Sequence, residues 1–276
     1  MNKTDRFYDS KEYFRCPVCE QELAVEKNSL QCINHHCFDI SKLGYVNFAI
    51  NKKVPKHYSK ETFENRMSIL ENGYYLHILN ELADIMKRLD NVKTVLDIGC
   101  GEGYYSRKIK EALNKEVIAF DISKASIQLA AKNDSSNSVK WFVGDLARLP
   151  IKNNSIDCIL DVFSPANYTE FNRVLTEGGN VIKVIPGNEH LKEIRHAAGE
   201  YIQKKEYSND SVVNYFKSHY SVVYEKRVSA THAMSLEDIK IFANMTPLLF
   251  HVDKSKIDLT QIKELTIDAK ILVGTP

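Results

Sequence analysis

The stretch VLDIGCGEGYYS, residues Val95–Ser106, decides the fold of this 276-residue chain. It joins a short, largely apolar strand pattern, KTVLDIG, to a helical pattern, YYSRKIKEAL, through Gly99, Gly101 and Gly103. Glycines at such a junction let the backbone turn tightly and approach a ligand closely, with the N-terminus of a helix behind them. The stretch therefore predicts a strand–loop–helix unit with a ligand loop; a tight turn without a ligand is the alternative.

The segments on either side of this unit alternate between strand and helix patterns. Further strands are predicted in EVIAFD, VKWFVGD, SIDCILDVF, NVIKVIP, SVVYEKRVSA and ELTIDAKILV, and helices in SKASIQLAAK, with Ser123 as its N-cap, YTEFNRVL and SLEDIKIFANM. Before the first strand, apolar residues recur at helical spacing from Met67 to Leu89, and Asn72-Gly73 divides them into two helices. Strands separated by helix-length segments predict an α/β fold with a mostly parallel sheet and helices on both faces.

Acidic residues follow the ends of successive predicted strands. Asp97 precedes the glycine loop, whose G-x-G-x-G spacing differs from the G-x-G-x-x-G of dinucleotide sites. A carboxylate there would repel a pyrophosphate but could receive an ammonium group, which favours S-adenosylmethionine, an adenosine that bears an amino acid. Asp121 ends the second strand, from which a carboxylate can accept two ribose hydroxyls, and Asp145 ends the third, near the expected adenine. For Asp145, a helix N-cap before LARLP is the alternative.

Four of the six cysteines lie within CPVCEQELAVEKNSLQCINHHC, residues 16–37. Cys16-x2-Cys19, followed after twelve residues by Cys32, has zinc-ribbon-like spacing, in which two tight knuckles bring their ligands onto one ion. Spacing alone leaves the fourth ligand open between His35, His36 and Cys37. With no open coordination position the site would be structural, and it would stabilise a unit, residues 13–50, that has few apolar residues.

Composition limits the class of protein. The formal net charge of +1 excludes a gross electrostatic bias, although a local basic face would suffice to follow a phosphate backbone. No apolar run approaches the length of a membrane span, and MNKTDRFYDSKEYF lacks the apolar stretch of a signal peptide, so we expect a cytoplasmic protein with no membrane partner. In a reducing compartment the clustered cysteines indicate metal binding rather than disulfides.

The arrangement as a whole resembles the large-subunit (23S) ribosomal RNA guanine-N1-methyltransferases of the RlmA/RrmA type. The resemblance rests on CPVC, EKNSLQC, FDISKLGYVNF, VLDIGCGEGYYS, LPIKNNSIDCI, IPGNEHL and MTP, and it covers nearly the whole chain. KLGYVN, just after a zinc knuckle, is its most specific part. It implies a Rossmann-like class I methyltransferase that uses S-adenosylmethionine and a structural Zn2+ to methylate a guanine in a hairpin of 23S ribosomal RNA. It also implies a homodimer.

The resemblance supplies the fourth zinc ligand that spacing left open. In that family a histidine four residues past the third cysteine binds the metal, which implies His36 beside Cys16, Cys19 and Cys32; Cys37 departs from the family pattern. The implied division of the chain is a zinc-binding RNA-recognition domain (1–51), a linker with helices (52–90) and a methyltransferase domain (91–276).

Cofactor contacts outside the glycine loop are also implied by the resemblance. Tyr75 would cover the cofactor from the helix before the first strand, and Tyr105 and Ser106 would contact it from the helix after the loop. His190 would contact it from beyond the fifth strand. As alternatives, the two tyrosines are core aromatics and His190 is an early-helix residue.

The chemistry predicts a further group at the end of the fourth strand. Guanine N1 is a poor nucleophile until its proton leaves, so a base, or a group that stabilises negative charge on O6, is expected in DVFSPANY. Asp161 is the candidate base, with a solvated or N-cap aspartate as the alternative. Phe163 and Tyr168 are candidates to stack on an extruded base, or are packing aromatics. The lysine-rich stretch Asn51–Lys60 is predicted to track phosphates or to be a solvated hinge.

Two other functions compete with this prediction. LPIKNNSIDCI resembles a stretch found across many class I methyltransferases, so a small-molecule substrate is the first alternative. The second is a non-catalytic, zinc-bearing RNA- or protein-binding module, against which the intact glycine loop and Asp121 argue.

Overall fold

A computed structural model describes residues 3–49, 60–199, 201–202 and 208–276 of the chain. The described strands are β1 (Ala24–Glu26), β2 (Ser29–Gln31), β3 (Cys37–Asp39), β4 (Tyr45–Asn47), β5 (Thr94–Ile98), β6 (Glu116–Asp121), β7 (Lys140–Val143), β8 (Ile156–Val162), β9 (Leu175–Pro186), β10 (Ser221–Ala233) and β11 (Glu264–Thr275). The described helices are α1 (Ser10–Tyr13), α2 (Lys60–Glu71), α3 (Leu76–Arg88), α4 (Tyr104–Leu113), α5 (Lys124–Asn133), α6 (Tyr168–Val174), α7 (Lys192–Ala197), α8 (Asp210–Lys217) and α9 (Leu236–Met245).

The centre of the described chain is an eight-stranded sheet in the order β10-β11-β9-β8-β5-β6-β7-β4. Strands β4 to β9 of this sheet are parallel to one another, while β11 is antiparallel to both β9 and β10. Strands β1, β2 and β3 form a separate antiparallel sheet. The predicted α/β fold with a mostly parallel sheet is therefore confirmed.

Most predicted elements form where their patterns place them. Strand β6 and helix α4 have the predicted bounds, and the turn at Asn72-Gly73 separates α2 from α3. Ser123 caps α5, because its side chain accepts a hydrogen bond from the backbone N–H of Ser126. Strand β9 begins at Leu175, earlier than predicted, because Leu175 already pairs with Ile156 of β8. Helices α7 and α8 were not predicted.

Each face of the main sheet has its own apolar layer. Helices α2 to α5, α7 and α9 pack against the first face. The second face is covered by α6 and α8 and, in place of further helices, by the cysteine-bearing N-terminal unit. Phe14 lies edge-on to Phe142 of the sheet, with ring centroids 5.6 Å apart, and Phe48 contacts the same ring at 5.8 Å. The unit therefore gains from the sheet the apolar contacts that its own composition lacks.

Strand β4 binds the N-terminal unit to the main sheet. It pairs in parallel with β7, in the register Tyr45 to Trp141, and forms one edge of the sheet. The sequence pattern did not predict this strand, since three residues are too short to show a period. The division of the chain at residues 51 and 90 stays a prediction, and β4 belongs to the main sheet although it precedes residue 51.

No helix in the described ranges is both long enough and apolar enough to cross a membrane. The predicted phosphate-tracking linker, Asn51–Lys60, lies outside the described residues except for Lys60, which begins α2.

Candidate active site and metal centre

The glycine loop has the conformation that its sequence requires. Gly99, Gly101 and Gly103 all have left-handed backbone, with φ of +62°, +57° and +77°. Gly103 is also tightly packed, since a Cβ there would lie 2.4 Å from the ring of Trp141. Gly101 has more room, its nearest neighbour being the Arg66 guanidinium at 3.7 Å. The loop thus turns sharply at the carboxyl end of β5 and leads directly into α4.

Asp97 lies at the end of β5 next to this loop. Its Oδ2 atom accepts a hydrogen bond of 2.5 Å from the hydroxyl of Ser106, so the structure brings these two predicted cofactor residues together. Burial raises the pKa of Asp97 to about 7; the Ser106 bond lowers that pKa, and the charge of Asp161 raises it. A positively charged ligand group beside Asp97 would favour its ionised form.

Asp121 lies at the end of β6 and braces the loop. Its two carboxylate oxygens accept backbone hydrogen bonds from Gly101, at 3.0 Å, and Ser123, at 2.8 Å. Burial raises the pKa of Asp121, and it also raises that of Glu102 in the loop. Buried carboxylates that resist ionisation favour a cationic ligand, and S-adenosylmethionine carries both a sulfonium and an ammonium group. The residues present therefore fit this cofactor.

Asp145 follows the end of β7 by two residues and is half-buried. No helix begins there, so the N-cap alternative is wrong: Oδ1 of Asp145 instead accepts a hydrogen bond of 2.9 Å from the backbone of Ala147, within a turn. Its contact with an adenine stays a prediction.

A cleft of about 470 Å3 opens beside the loop and is lined mainly by apolar and aromatic side chains. Tyr75, Tyr105 and His190, which the sequence placed in different segments, all line it. The Tyr75 ring contacts Phe163, at 6.1 Å between centroids, and His190, at 6.4 Å. The hydroxyl of Tyr105 is buried and has no hydrogen-bond partner in the described structure. Their cofactor contacts stay predictions, and the cleft is where they would be made.

His190 is a neutral group of the cleft wall. Burial lowers its pKa to about 4, although the charge of Asp268 raises it. Its Nδ1 atom accepts a hydrogen bond of 3.3 Å from the backbone of Asp268, which fixes the ring. A neutral imidazole suits contact with an uncharged part of a ligand, such as a ribose or a base.

Two bulky residues of the cleft wall have a conformation that side chains rarely adopt. Phe163 and Leu191 both line the cleft, and both have positive φ, +54° and +51°. Their backbone N–H groups donate to Val184 and Thr266, which holds them in place. Strained residues of this kind persist where the surrounding structure fixes them, and they cluster at functional sites.

Arg66 is a cleft residue that the sequence analysis missed. It projects from α2, and its Nε atom lies 3.5 Å from Oε2 of the buried Glu102. Although burial lowers the pKa of Arg66, the charges of Glu102, of two tyrosines and of Asp121 raise it overall. Its sequence neighbourhood gave little signal, because Arg66 directly precedes the helical apolar pattern that begins at Met67 and its partner lies 36 residues further along the chain.

Lys183 is a second cleft residue that the sequence did not reveal, and it forms an ion pair with the predicted base, Asp161. Asp161 is fully buried on β8, and its Oδ2 atom forms an ion pair of 2.7 Å with Nζ of Lys183 on β9. Lys183 also donates to the carbonyl of Ser164, at 2.5 Å, and lines the cleft. Burial raises the pKa of Asp161 to about 7, and the charge of Lys183 lowers it. Lys183 thus stands between Asp161 and the cleft.

The two aromatic candidates for base stacking, Phe163 and Tyr168, lie in different parts of the structure. Phe163 lies on the cleft wall, as a base-stacking residue would. Tyr168 is buried on the second face of the sheet, in a cluster with Tyr215 and His219 at 5.1 and 4.8 Å between centroids. It packs as a core aromatic.

The metal centre lies in the N-terminal unit. The ligand atoms of Cys16, Cys19, Cys32 and His36 all lie within 4.8 Å of one another. Nδ1 of His36 is 3.3 to 3.6 Å from the three sulfurs, and the sulfurs of Cys19 and Cys32 are 3.6 Å apart. A tetrahedral zinc with ordinary bond lengths places its ligand atoms about 3.6 to 3.8 Å apart. The four side chains are therefore close enough together to bind one zinc ion.

Two left-handed residues shape the knuckles around this centre. Glu20 and His35 have φ of +64° and +61°, and their N–H groups donate back to the carbonyls of Cys16 and Cys32. The turn at His35 points His36 inward and leaves His35 itself exposed. Cys37 is exposed as well and begins β3. Of the three alternatives for the fourth ligand, only His36 lies beside the thiols in the described structure.

Comparisons with known proteins agree with both parts of the site. The sequence model of the RlmA N-terminal zinc ribbon matches residues 14–54, and that of a methyltransferase domain matches residues 95–183. A Bacillus subtilis protein, YxjB, provisionally named a 23S rRNA (guanine-N(1)-)-methyltransferase, is 32% identical over 277 residues, which cover 95% of this chain and 96% of that protein. The chain belongs to this family of 23S rRNA guanine-N1-methyltransferases. The enzyme accordingly uses S-adenosylmethionine and has a structural zinc site.

A second relative is similar along almost the whole sequence, and a solved structure is similar in fold. The 23S rRNA (guanine(748)-N(1))-methyltransferase of Streptomyces fradiae is 27% identical over 274 residues, 96% of this chain and 97% of that enzyme. A chain from the complex between the Haloferax volcanii Trm112 methyltransferase activator and a provisionally assigned methyltransferase is similar in fold. It has a TM-score of 0.51 and 16% identity, over 81% of this chain and 99% of that chain.

Proposed function

We propose that the enzyme transfers the methyl group of S-adenosylmethionine to N1 of a guanine in a hairpin of 23S ribosomal RNA. The observation that carries this proposal is a Cys3His centre built onto a methyltransferase sheet, in a chain that matches relatives named for this reaction along almost its whole length. A small-molecule methyltransferase would not need the zinc unit. A non-catalytic binding protein would not need the glycine loop with its buried acids.

The zinc unit would serve as the RNA-recognition module. Val18 and Ile33, one on each knuckle, have 56% and 80% of their surface exposed, and His35 beside Ile33 is exposed as well. Exposed apolar side chains on rigid knuckles suit contact with the splayed bases of a single-stranded loop. A cytoplasmic location follows from this substrate, and a homodimer is part of the proposal because the family resemblance implies it.

Mapping of the modified nucleotide tests the proposal. We expect ribosomal RNA from a deletion strain to lose one N1-methylguanine stop in primer extension, because a methyl group on N1 blocks base pairing. The wild-type gene should restore the stop, and Asp121→Ala, which removes the carboxylate that braces the glycine loop, should not. Mass spectrometry of the RNA should locate the methyl group on a guanine of a hairpin. A stop that persists in the deletion strain would show that another enzyme makes it.

We further propose that Lys183 and Asp161 together handle the N1 proton. When methyl transfer forms the N1–carbon bond and breaks the sulfur–carbon bond, the guanine must lose its N1 proton and O6 gains negative charge. Lys183 at the cleft can donate a hydrogen bond to O6, where a fixed cation is most effective. Lys183 gives one of its protons to Oδ2 of Asp161, 2.7 Å away, and the lone pair left on its amine accepts the N1 proton. The proton thus ends on Asp161, which touches no substrate.

Lys183→Met should lower kcat by about 100- to 1000-fold, because it removes the donor to O6, while KM for RNA changes little. The variant also leaves Asp161 buried without its cation, so a loss of stability must be separated from a loss of chemistry. The double variant Asp161→Asn/Lys183→Met replaces the ion pair with two neutral groups and should recover stability but stay slow. Recovery of kcat in the double variant would mean that the pair is purely structural.

The pH profile of kcat independently tests whether Asp161 is the proton acceptor. Since the pKa of Asp161 is raised to about 7, its charged form, the proton acceptor, is lost as the pH falls through 7. We expect kcat at saturating S-adenosylmethionine to fall about tenfold per pH unit below 7 and to level off above 8. Asp97 has a pKa of about 7 as well, but it acts on cofactor binding, so saturating cofactor separates the two. A flat profile from pH 6 to 8 would exclude Asp161.

A further inference from the structure

We infer that Arg66 binds the carboxylate of the methionine part of S-adenosylmethionine, with the hydroxyl of Tyr105 as a second donor. The buried acids around the glycine loop, Asp97, Glu102 and Asp121, suit the cationic groups of this cofactor. They would repel its carboxylate, which therefore needs a cation of the protein.

The position of Arg66 distinguishes it from the other cations of the cleft. The basic side chains that line the cleft in the described structure are Arg66, Lys183, His190 and Arg195. Lys183 donates to Asp161 and Ser164, Arg195 donates to the carbonyl of Asn188, and His190 is neutral. Arg66 is the one next to the glycine loop, 3.7 Å from the place of a Cβ on Gly101.

Two polar atoms near Arg66 are buried and have no hydrogen-bond partner among the described residues. One is the hydroxyl of Tyr105, which lines the same cleft, and the other is Oε2 of Glu102. A carboxylate bound by Arg66 would accept a hydrogen bond from Tyr105 and so satisfy that hydroxyl. Glu102 cannot bind an anion; at 3.5 Å from Nε of Arg66 it holds the guanidinium over the loop. Glu102 is therefore a positioning residue, and the outer nitrogens of Arg66 are left for the ligand.

This assignment concerns the cofactor alone, so its test needs no RNA. Titration calorimetry would compare two ligands: S-adenosylhomocysteine, which has the carboxylate, and its decarboxylated analogue, which keeps the ammonium group. Because a hydrogen-bonded ion pair strengthens binding ten- to a hundredfold, the wild-type enzyme should bind S-adenosylhomocysteine more tightly by about that factor. Arg66→Met should weaken S-adenosylhomocysteine ten- to a hundredfold and leave the analogue unchanged, so that the preference disappears.

Matched variants separate this role from general damage to the fold. Tyr105→Phe removes only the buried hydroxyl and should weaken S-adenosylhomocysteine by about three- to tenfold, again without effect on the analogue. Arg66→Lys keeps the charge and should retain part of the preference. Arg88→Met, at the exposed end of α3, is the control and should change neither ligand. Equal weakening of both ligands by Arg66→Met, or no weakening of either, would overturn the assignment. Neither result would bear on the RNA substrate.

Discussion

His36→Ala is expected to release the zinc of the full-length enzyme and to unfold the N-terminal unit locally. Zinc bound by three cysteines and one histidine has a closed tetrahedral shell, and in zinc-finger peptides such binding supplies on the order of 10 to 16 kcal/mol. Loss of the ring nitrogen, which lies 3.3 to 3.6 Å from the three sulfurs, opens that shell. Elemental analysis would measure zinc per chain, and hydrogen exchange over residues 13–49 would measure the unfolding.

The matched control is Cys37→Ser. The thiol of Cys37 is exposed and lies outside the cluster, so this variant should keep its zinc and its exchange protection. Zinc loss from Cys37→Ser, with retention in His36→Ala, would show that the site uses four cysteines.

Because the N-terminal unit packs on the main sheet, loss of the zinc should also affect the stability of the rest of the enzyme. Phe14 and Phe48 contact Phe142 of the main sheet, so unfolding of the unit exposes that face. We therefore expect His36→Ala to lower the thermal midpoint of the whole enzyme, and not only to remove a small separate transition. The zinc unit stands where helices would otherwise cover a parallel sheet.

Gly103→Ala is expected to be the most damaging change in the glycine loop. The added methyl would lie 2.4 Å from the Trp141 ring and 2.9 Å from the Cβ of Ala130, both in the core, and φ of +77° disfavours a side chain as well. Left-handed backbone costs about 1 kcal/mol or more, and overpacking adds about 1 to 3 kcal/mol. Chemical unfolding followed by fluorescence would measure the loss, with Trp141, the single tryptophan of the chain, as the reporter.

Gly101→Ala is the control that isolates the packing effect. Its φ of +57° has a similar backbone cost, but the nearest atom of the described structure, in the Arg66 guanidinium, lies 3.7 Å from the added Cβ. We expect Gly103→Ala to be less stable than Gly101→Ala by about 2 kcal/mol or more, because only the first must displace a buried ring. Equal stabilities would mean that Trp141 moves aside at little cost and that the backbone conformation alone requires glycine.

The buried acidic side chains around the glycine loop favour the binding of a positively charged cofactor. Asp97, Glu102 and Asp121 are buried together, and burial raises the pKa of each. Such acids destabilise the free enzyme when ionised and are stabilised by a bound cation, so the site is arranged for a ligand rather than for stability. Arg66 is the cation that lies beside both these acids and the cleft in the described structure, which is why it is the candidate for the ligand's carboxylate.

The sequence by itself determined the elements whose signal is local. The short, largely apolar runs of the strands, the helical spacing of apolar residues and the glycine loop predicted β5 to β9 and α3 to α6. Asp97 and Asp121 were found because they end strands, and parallel strands end at one edge of the sheet. The spacing of Cys16, Cys19 and Cys32 predicted a metal centre for the same reason, since both knuckles are made by short, continuous segments.

Only the tertiary structure decided which distant residues meet. Asp161 and Lys183 lie 22 residues apart, and Arg66 and Glu102 lie 36 apart; each pair forms because two elements pack in one particular register. A period along the chain carries no information about that register. Strand β4 was not predicted for a similar reason. Its three residues are too few to show a pattern, and they form a strand because they pair with the edge of β7. For the fourth zinc ligand, spacing alone left three alternatives and the resemblance implied His36; in the structure one left-handed residue, His35, turns the His36 side chain toward the thiols.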